Sequence, residues 1–569
     1  MPCPLEPTPT GNPLLAHVPG RFGSIAEALD YAGRGETGVN FYGASGELQQ
    51  VLSYRTLRER ARAAAACLAG MALPPGSVMA MIADTGPDFL VCFYACQYAG
   101  LVPCPLPYTV YAGGKDAYVA QLRAMLAGSG AAVLLAPRAI LPCAVAAAQA
   151  LPRVRVLAFE AVDELPIGPL PPASGPAACA YIQHSSGTTS HPRAIEVSQR
   201  ALCANIEAML VHGLRLGPRD RACSWLPLFH DMGLVGFAIG AMFGQCSVDF
   251  LSPAAFARRP LAWPRLMSDN RATITYAPAF GYRLAARRMH AAPTLDLSSL
   301  RVAGVGADMV PPEVLDEFAA AFGPAGFRRQ AFLPSYGLAE ATLAVSIAAP
   351  GSGARVVACP GDASAGGKPL VSCGQPLPGV EVMVADAAGM PVPGGRVGHV
   401  WVRGDSIAAG YRNDAAAAAA MRRRDGYIDT GDLGFLAGAE LVITGRAKDV
   451  LVLRGRSLSA QGVEAVVEAV PPLHAGDAAA FCVAQQDDED CLVVLVQCGI
   501  AEAAARARLR QDVQAALGEA FGLAGRVVLV APRALPRTSS GKLSRAQARR
   551  DYLAGALVET AEPACQETA

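Results

Sequence analysis

Along most of the chain, short apolar runs end in polar, glycine-containing loops that pass into segments of helical apolar spacing. This strand, loop, helix rhythm limits the fold more than any other feature. Between about Ile25 and Leu170 the β-like runs SVMAMIA, AAVLLAP and VRVLAF alternate with the helical stretches YRTLRERARAAAACLAG and AYVAQLRAMLAGSG. The rhythm resumes, after a Pro-rich surface loop at 166–176, in RATITYAPAFGYRLAARR, LRVAGVGADMVPPEVLDEFAAAF and RQAFLPSYGLAEATL. Serial βα units imply a parallel sheet, whose ligands bind beyond the C-terminal ends of the strands, so three loops are expected to converge on one site. Past residue 370 the short alternating strands of VEVMVADAAGMPVPGGRVGHVWVRG predict a small β-rich subdomain, and the alanine run 415–420 predicts a helix. From about Val450 a strand, a helix, the hairpin AAFCVAQQDDEDCLVVLVQCG, a long Ala/Arg helix and the strand GRVVLVAP predict a compact C-terminal unit. The expected class is therefore α/β, with a large N-terminal domain of βα subdomains plus a β-rich subdomain, then a small α+β domain; 569 residues are too many for one ordinary domain.

Charge and cysteine usage exclude several roles. Acidic and basic residues balance at 48 each, so no field of one sign would attract nucleic acid or an anionic membrane. The sixteen cysteines form no C-x-x-C pair and read as reduced, buried thiols, with Cys92 and Cys96 on one helical face as core residues. The most apolar stretch, 89–106, carries Gln97, Gly100 and two prolines, and reads as a buried helix and strand. The N-terminus is Pro-rich, without a basic segment leading into an apolar one; no secretory signal or membrane anchor is expected, and disorder is expected only at the ends, including 557–569. Lysine is rare: Lys115, Lys368, Lys448 and Lys542 stand against 44 arginines.

The strongest local signal is IQHSSGTTSHPR, 182–193, which follows an apolar strand. Its loop, Ser185, Ser186, Gly187, Thr188, Thr189 and Ser190, offers backbone and hydroxyl donors that can wrap a polyphosphate. It is not a Walker A loop, and neither GDASAGGKP nor TSSGKLS completes that pattern. A Ser/Thr/Gly cluster alone is more often a plain loop. Here it is followed in order by SWLPLFHDMGL, PSYGLAEAT, YIDTGDLG, ITGRAKD and LPRTSSGKLSR. This ordered set, within about 25–555, resembles the adenylate-forming superfamily of acyl-CoA synthetases, peptide-synthetase adenylation domains and luciferases. SWLPLFHDMGL and PSYGLAEAT are most similar to the fatty acyl-AMP ligase forms.

The resemblance implies roles that the residue chemistry suits. Tyr336, between Ser335 and Gly337, would stack on adenine, with Gly306, Ala307 and Asp308 lining the other side of the base. Glu340, at the start of a helix, would hold Mg²⁺ against the triphosphate of ATP. Asp432 would accept from both ribose hydroxyls, and Arg446 would lie near ribose and phosphate. Lys542 would be the catalytic cation that bridges carboxylate and α-phosphate. Its retention as lysine in an arginine-rich chain favours a compact point charge. His230 would sit by the substrate carboxylate. Tyr276, Ala277, Ala279 and Gly281 would line an acyl tunnel. Lys448 would be the hinge between an N-terminal domain of residues 1–447 and a mobile domain of 448–556. Arg193 and His191 stand where relatives often have Lys and Gly.

The implied activity is ATP-dependent activation of a medium- or long-chain fatty acid to acyl-adenylate, with transfer to the phosphopantetheine thiol of an acyl carrier protein. The ligases differ from CoA synthetases chiefly by an insertion after PSYG, and the matching stretch here, SIAAPGSGARVVACPGDASAGGKPLV, is short, so CoA is the alternative acceptor. A non-catalytic acyl- or nucleotide-binding protein is the reading from another class. Intact Asp432, Glu340 and Lys542 weigh against it. A cytoplasmic location is expected from the need for ATP.

Overall fold

The structure is a computed structural model, and it describes residues 5–13, 15–108, 114–185, 192–289, 294–360, 369–453, 456–474, 476–484, 490–537 and 542–557. Its centre is a nine-stranded sheet. Strands Phe332–Gly337, Val302–Val305, Ile274–Ala277, Arg221–Ser224, Ser247–Leu251 and Gly38–Tyr42 run parallel in that spatial order. Antiparallel strands Ala344–Ile347 and Leu48–Ser53 continue it on either side. A second, wholly parallel sheet holds Val102–Leu106, Val78–Ile82, Ala131–Ala136 and Arg155–Ala158. Pro103 and Pro105 are tolerated because Val102–Leu106 is an edge strand, where a missing N–H breaks no ladder bond on the open side.

Local chemistry explains the helix limits. Ser53 Oγ accepts from Thr56 N to start Tyr54–Ala69, and Gly70 ends it; Ser24, Ser198 and Ser252 cap three further helices in the same way. The helix Pro87–Ala99 is apolar all round and buried along nearly its whole length, as the reading of 89–106 expected. Cys92 and Cys96 lie inside it, each with a thiol that burial holds strongly protonated. The β-rich segment forms a four-stranded antiparallel sheet of Val380–Ala385, Gly398–Gly404, Ile428–Ala437 and Glu440–Arg446. Beyond it, a hairpin at 450–459 and the strands Ala478–Ala484, Asp490–Gln497 and Arg526–Val530 pack with Ala503–Phe521 into apolar clusters drawn wholly from the C-terminal segment.

Two features depart from expectation. Glu340 lies in a single 3₁₀ turn, Ala339–Ala341, and not at the start of a longer helix, because Thr342 turns left-handed at φ 71° and sends the chain into the antiparallel strand Ala344–Ile347. The N-terminal end is tied down from Thr8 onward. Thr8 N–H donates to Asn40 Oδ1 at 2.8 Å, and the Thr8 carbonyl accepts from Arg221 Nη1 at 2.7 Å. Arg221, 3% exposed, also donates to both oxygens of the fully buried Asp249 at 2.7 Å each, and Asp249 accepts from Asn40 at 2.8 Å.

Breaking this pair leaves a buried charge without its partner. Arg221→Met and Asp249→Asn are each expected to lower unfolding stability by about 3–5 kcal/mol, read as a shift of the urea midpoint.

Candidate active site

Loops at the C-terminal ends of the central strands and a C-terminal segment face one cavity of about 410 Å³. Ser185, Tyr276, Ala307, Asp308, Ser335, Tyr336, Gly337, Glu340, Asp432, Arg446, Lys448, Lys542 and His230 all line it. Gly306 does not, but a side chain there would come within 2.8 Å of the Ser335 carbonyl, so glycine lets the two loops approach. Ser186, Gly187, Thr188, Thr189 and Ser190 lie outside the described residues. Their loop has a closed neck: Ser185 N–H donates to the Arg193 carbonyl at 2.9 Å, and Arg193 N–H donates to Ser185 Oγ at 3.1 Å. The Arg193 guanidinium stacks 5.0 Å from the centroid of the Tyr411 ring. Arginine at this position thus gains a π-face contact along with its charge. His184, just before the loop, is buried, and its pKa is pushed down to about 4, which leaves the imidazole neutral near pH 7.

On the nucleotide side, the Tyr336 hydroxyl donates to Asp432 Oδ2 at 2.6 Å, and Arg446 Nε lies 3.3 Å from Asp432 Oδ1. The phenol and the guanidinium hold the carboxylate from both sides. Burial nevertheless raises the Asp432 pKa above the usual value, against the pull of Arg446. Gly431 at φ 75° makes the turn that presents it, and Asp432 N–H is held by Thr430 Oγ1 at 3.1 Å.

Glu340 is the oxygen donor of the cavity wall opposite. Burial pushes its pKa up from 4.5, and the Tyr411 hydroxyl donates to Oε1 at 2.9 Å. Among the described residues, no three His, Cys, Asp or Glu side chains group as a metal cage. One half-buried carboxylate fits Mg²⁺, which takes one or two protein oxygens and fills its shell with phosphate oxygens and water. Glu340 would hold the ion, which when bound neutralises phosphate charge.

Lys542 reaches the same space from the C-terminal segment. Burial lowers its pKa from 10.5, opposed first by Asp308 and then by Asp231 and Asp432. Asp231 belongs with these residues although the sequence reading passed it over. His230 Nδ1 lies 2.6 Å from Asp231 Oδ1, and Met232 N–H donates to that oxygen at 2.7 Å. Burial works against its charge, but these partners outweigh it and hold the carboxyl below the usual range. Arg545 was also missed. It bonds Glu464 through Nε at 2.7 Å and Asp449, next to Lys448, through Nη1 at 2.7 Å. The motif GKLSR contained it, three residues past Lys542.

From His230 an apolar arm leads away from the polar groups, lined by Met209, Leu210, Gly236, Phe237, Gly240 and Ala241. These residues belong to or follow two π-helical turns, Ala208–Gly213 and Leu234–Ile239, a widened form that recurs at functional sites. Of the four residues read as a tunnel wall, only Tyr276 lines the cavity. Ala277, Ala279 and Gly281 lie away from it, because this helix start packs on Trp225: a side chain at Gly281 would sit 2.6 Å from the indole.

Comparison with known proteins agrees with the resemblance read from the motifs. A model described as AMP-binding enzyme matches residues 36–412. A Caulobacter vibrioides protein provisionally named an acyl-CoA synthetase is 40% identical over 94% of this chain and 96% of its own. JamA of Moorena producens, a medium-chain-fatty-acid–[acyl-carrier-protein] ligase, is 30% identical over 94% of this chain and 96% of its own. A solved structure from work on fatty acyl-adenylate ligases of E. coli and L. pneumophila superposes with a TM-score of 0.89 at 36% identity, covering 95% of this chain and all of that one. Among the described residues, no helix is long and apolar enough to cross a membrane.

Because the sequence holds only Lys115, Lys368, Lys448 and Lys542, the burial of Lys542 can be read directly. After reductive ¹³C-methylation, the resonance absent from Lys542→Arg is expected to titrate below 10.5, since burial disfavours the ammonium and the proton leaves at lower pH.

Proposed function

The chain belongs to the AMP-binding enzyme family and is an adenylate-forming, ATP-using enzyme; on that premise we propose that it activates a fatty acid to acyl-adenylate and hands the acyl group to an acyl carrier protein. What carries the reading is one cavity in which an apolar arm meets a polar end, with Lys542 among the lining residues. An alkyl chain suits the first, a nucleotide the second.

In the first half-reaction the substrate carboxylate oxygen attacks the α-phosphorus of ATP. The P–O bond to the β-phosphate breaks, and pyrophosphate leaves with that electron pair. Two anions must approach while charge builds on the α-phosphoryl oxygens, so a preorganised cation near both lowers the barrier. Lys542 supplies it from a water-poor site where a charge acts strongly. Arg446 and Asp432 orient the ribose, the face of Tyr336 takes the base, and Ser185 and Arg193 face the phosphates. His230, fixed by Asp231, borders the arm where the carboxylate would lie.

The carrier-protein acceptor is supported by the name of JamA, and CoA by the name of the Caulobacter relative. One observation favours the carrier protein. In the stretch after PSYG, Val356–Ala358 pairs with Pro369–Val371. Arg355 and Ser372 both bond Glu440, at 3.1 and 2.7 Å. That glutamate starts the strand Glu440–Arg446, which leads to Lys448. All three residues precede Lys448, so the hairpin stiffens the strand that enters the hinge, and we infer that this hinders the domain rotation a CoA-using cycle needs.

The test is fatty-acid-dependent exchange of pyrophosphate into ATP without any acceptor. Wild type is expected to exchange, and Lys542→Ala to lose on the order of a hundredfold or more in rate, the scale of removing one charge-stabilising donor. Exchange untouched by the substitution would remove Lys542 from its role. With acceptor added, thioester is expected on a phosphopantetheinylated carrier protein and not on CoA.

A further inference from the structure

The apolar arm crosses the sheet from one edge to the other. Its mouth lies among the loops that follow the strands, whereas Ala222 and Ile274 stand at the beginnings of Arg221–Ser224 and Ile274–Ala277, and Cys246 immediately precedes Ser247–Leu251. Together with Leu214 and Leu216 these residues line the far end, and all are buried.

The N-terminal segment runs beside that far end without itself lining the cavity, and its bonds go to Leu216 and to the neighbours of other lining residues. Arg221, next to Ala222, holds the Thr8 carbonyl at 2.7 Å. Ser247, next to Cys246, donates to the Pro9 carbonyl at 2.6 Å. Gln245, on the other side of Cys246, accepts from Val18 N–H at 2.9 Å, and its carbonyl accepts from Asn12 at 3.3 Å. His17 Nε2 lies 3.2 Å from the carbonyl oxygen of Leu216 itself. At Gly11, φ 84°, the backbones are so close that a side chain would come 2.4 Å from the Pro218 carbonyl.

We propose that residues 8–13 and 15–20 form a strap that closes the apolar arm into a blind pocket and so sets the longest acyl chain the enzyme accepts. The inference rests on the fatty-acid reading above. Four strand residues span about 13 Å. An extended alkyl chain, with C–C bonds of about 1.5 Å set in a zigzag, advances roughly 1.3 Å per carbon, so the arm holds about ten carbons beyond the carboxyl group. The preferred substrates are then acids of about ten to twelve carbons.

The experiment is the acceptor-free exchange assay on full-length protein with saturated acids from hexanoate to hexadecanoate. For wild type, kcat/KM should rise about fourfold per added methylene, the worth of burying one, and fall sharply beyond the length the pocket holds. Loosening the strap, by Asn12→Ala with His17→Ala or by removing the segment before Asn12, should raise hexadecanoate turnover at least tenfold and leave hexanoate turnover as it was. Ala222→Leu, which fills the far end, should move the cut-off to shorter acids. If the double variant and the truncation melt too low to assay, the single substitution His17→Ala, which removes one bond to Leu216, carries the test. A cut-off that stays put in folded strap variants would overturn the strap alone, whatever Ala222→Leu does, as would a wild type without a cut-off. A wild type that exchanges with no fatty acid would overturn the functional reading and the strap together.

Discussion

Parallel pairing of six neighbouring strands is the constraint from which the rest of the molecule follows. Parallel strands can be joined only by crossovers, so every strand in the run starts at one edge of the sheet and ends at the other. The ending edge collects the loops with Asp308, Tyr336, Glu340 and His230, and a charged cleft results. The starting edge is left to apolar residues and to the N-terminal segment laid against them. A single sheet thus sets polar residues beyond one end of its strands and apolar residues at the other.

The cleft concentrates charge where water is scarce, and the directions of the pKa shifts follow. Asp432 and Glu340 are raised and Lys542 is lowered, in each case because burial penalises the ion. Asp231 alone of these is lowered as a carboxyl, because His230 and a backbone N–H satisfy it within the protein. The first three are therefore held in a state that a nucleotide with its metal ion would relieve: the ion would answer Glu340, ribose hydroxyls would answer Asp432, and phosphates would answer the lysine. Binding energy for the ligand is in part the relief of this mutual discomfort.

Much of the site could be read from the sequence because Tyr336 and Asp432 stand beside Gly337 and Gly431 at irregular points of their strands, where a large polar side chain next to glycine has little structural reason to be there. Arg545 and Tyr411 escaped notice because an Arg in a helix or a Tyr beside a strand has an ordinary explanation; their role depends on partners 96 and 71 residues away, respectively, Asp449 and Glu340. The apolar arm was sought near Gly281 because small residues suggest room, but there the space is taken by Trp225. The apolar lining of the cavity comes in part from π-helical turns, and apolar spacing alone does not distinguish these from α-helix. The Pro-rich N-terminus read as a loose end, since hydrogen bonds from Thr8 and Asn12 to residues over two hundred positions away leave no local pattern.

Arg545 carries a mechanical consequence. Only two residues separate it from Lys542, a tether of about 10 Å at full extension. While Asp449 stays at the cavity wall, Lys542 cannot be drawn further than this tether and side-chain reach allow without pulling the guanidinium off Asp449 and exposing one or both charges to solvent. Lys542 and the Arg545–Asp449 clasp beside Lys448 are thus mechanically coupled, so the state of one reports the state of the other.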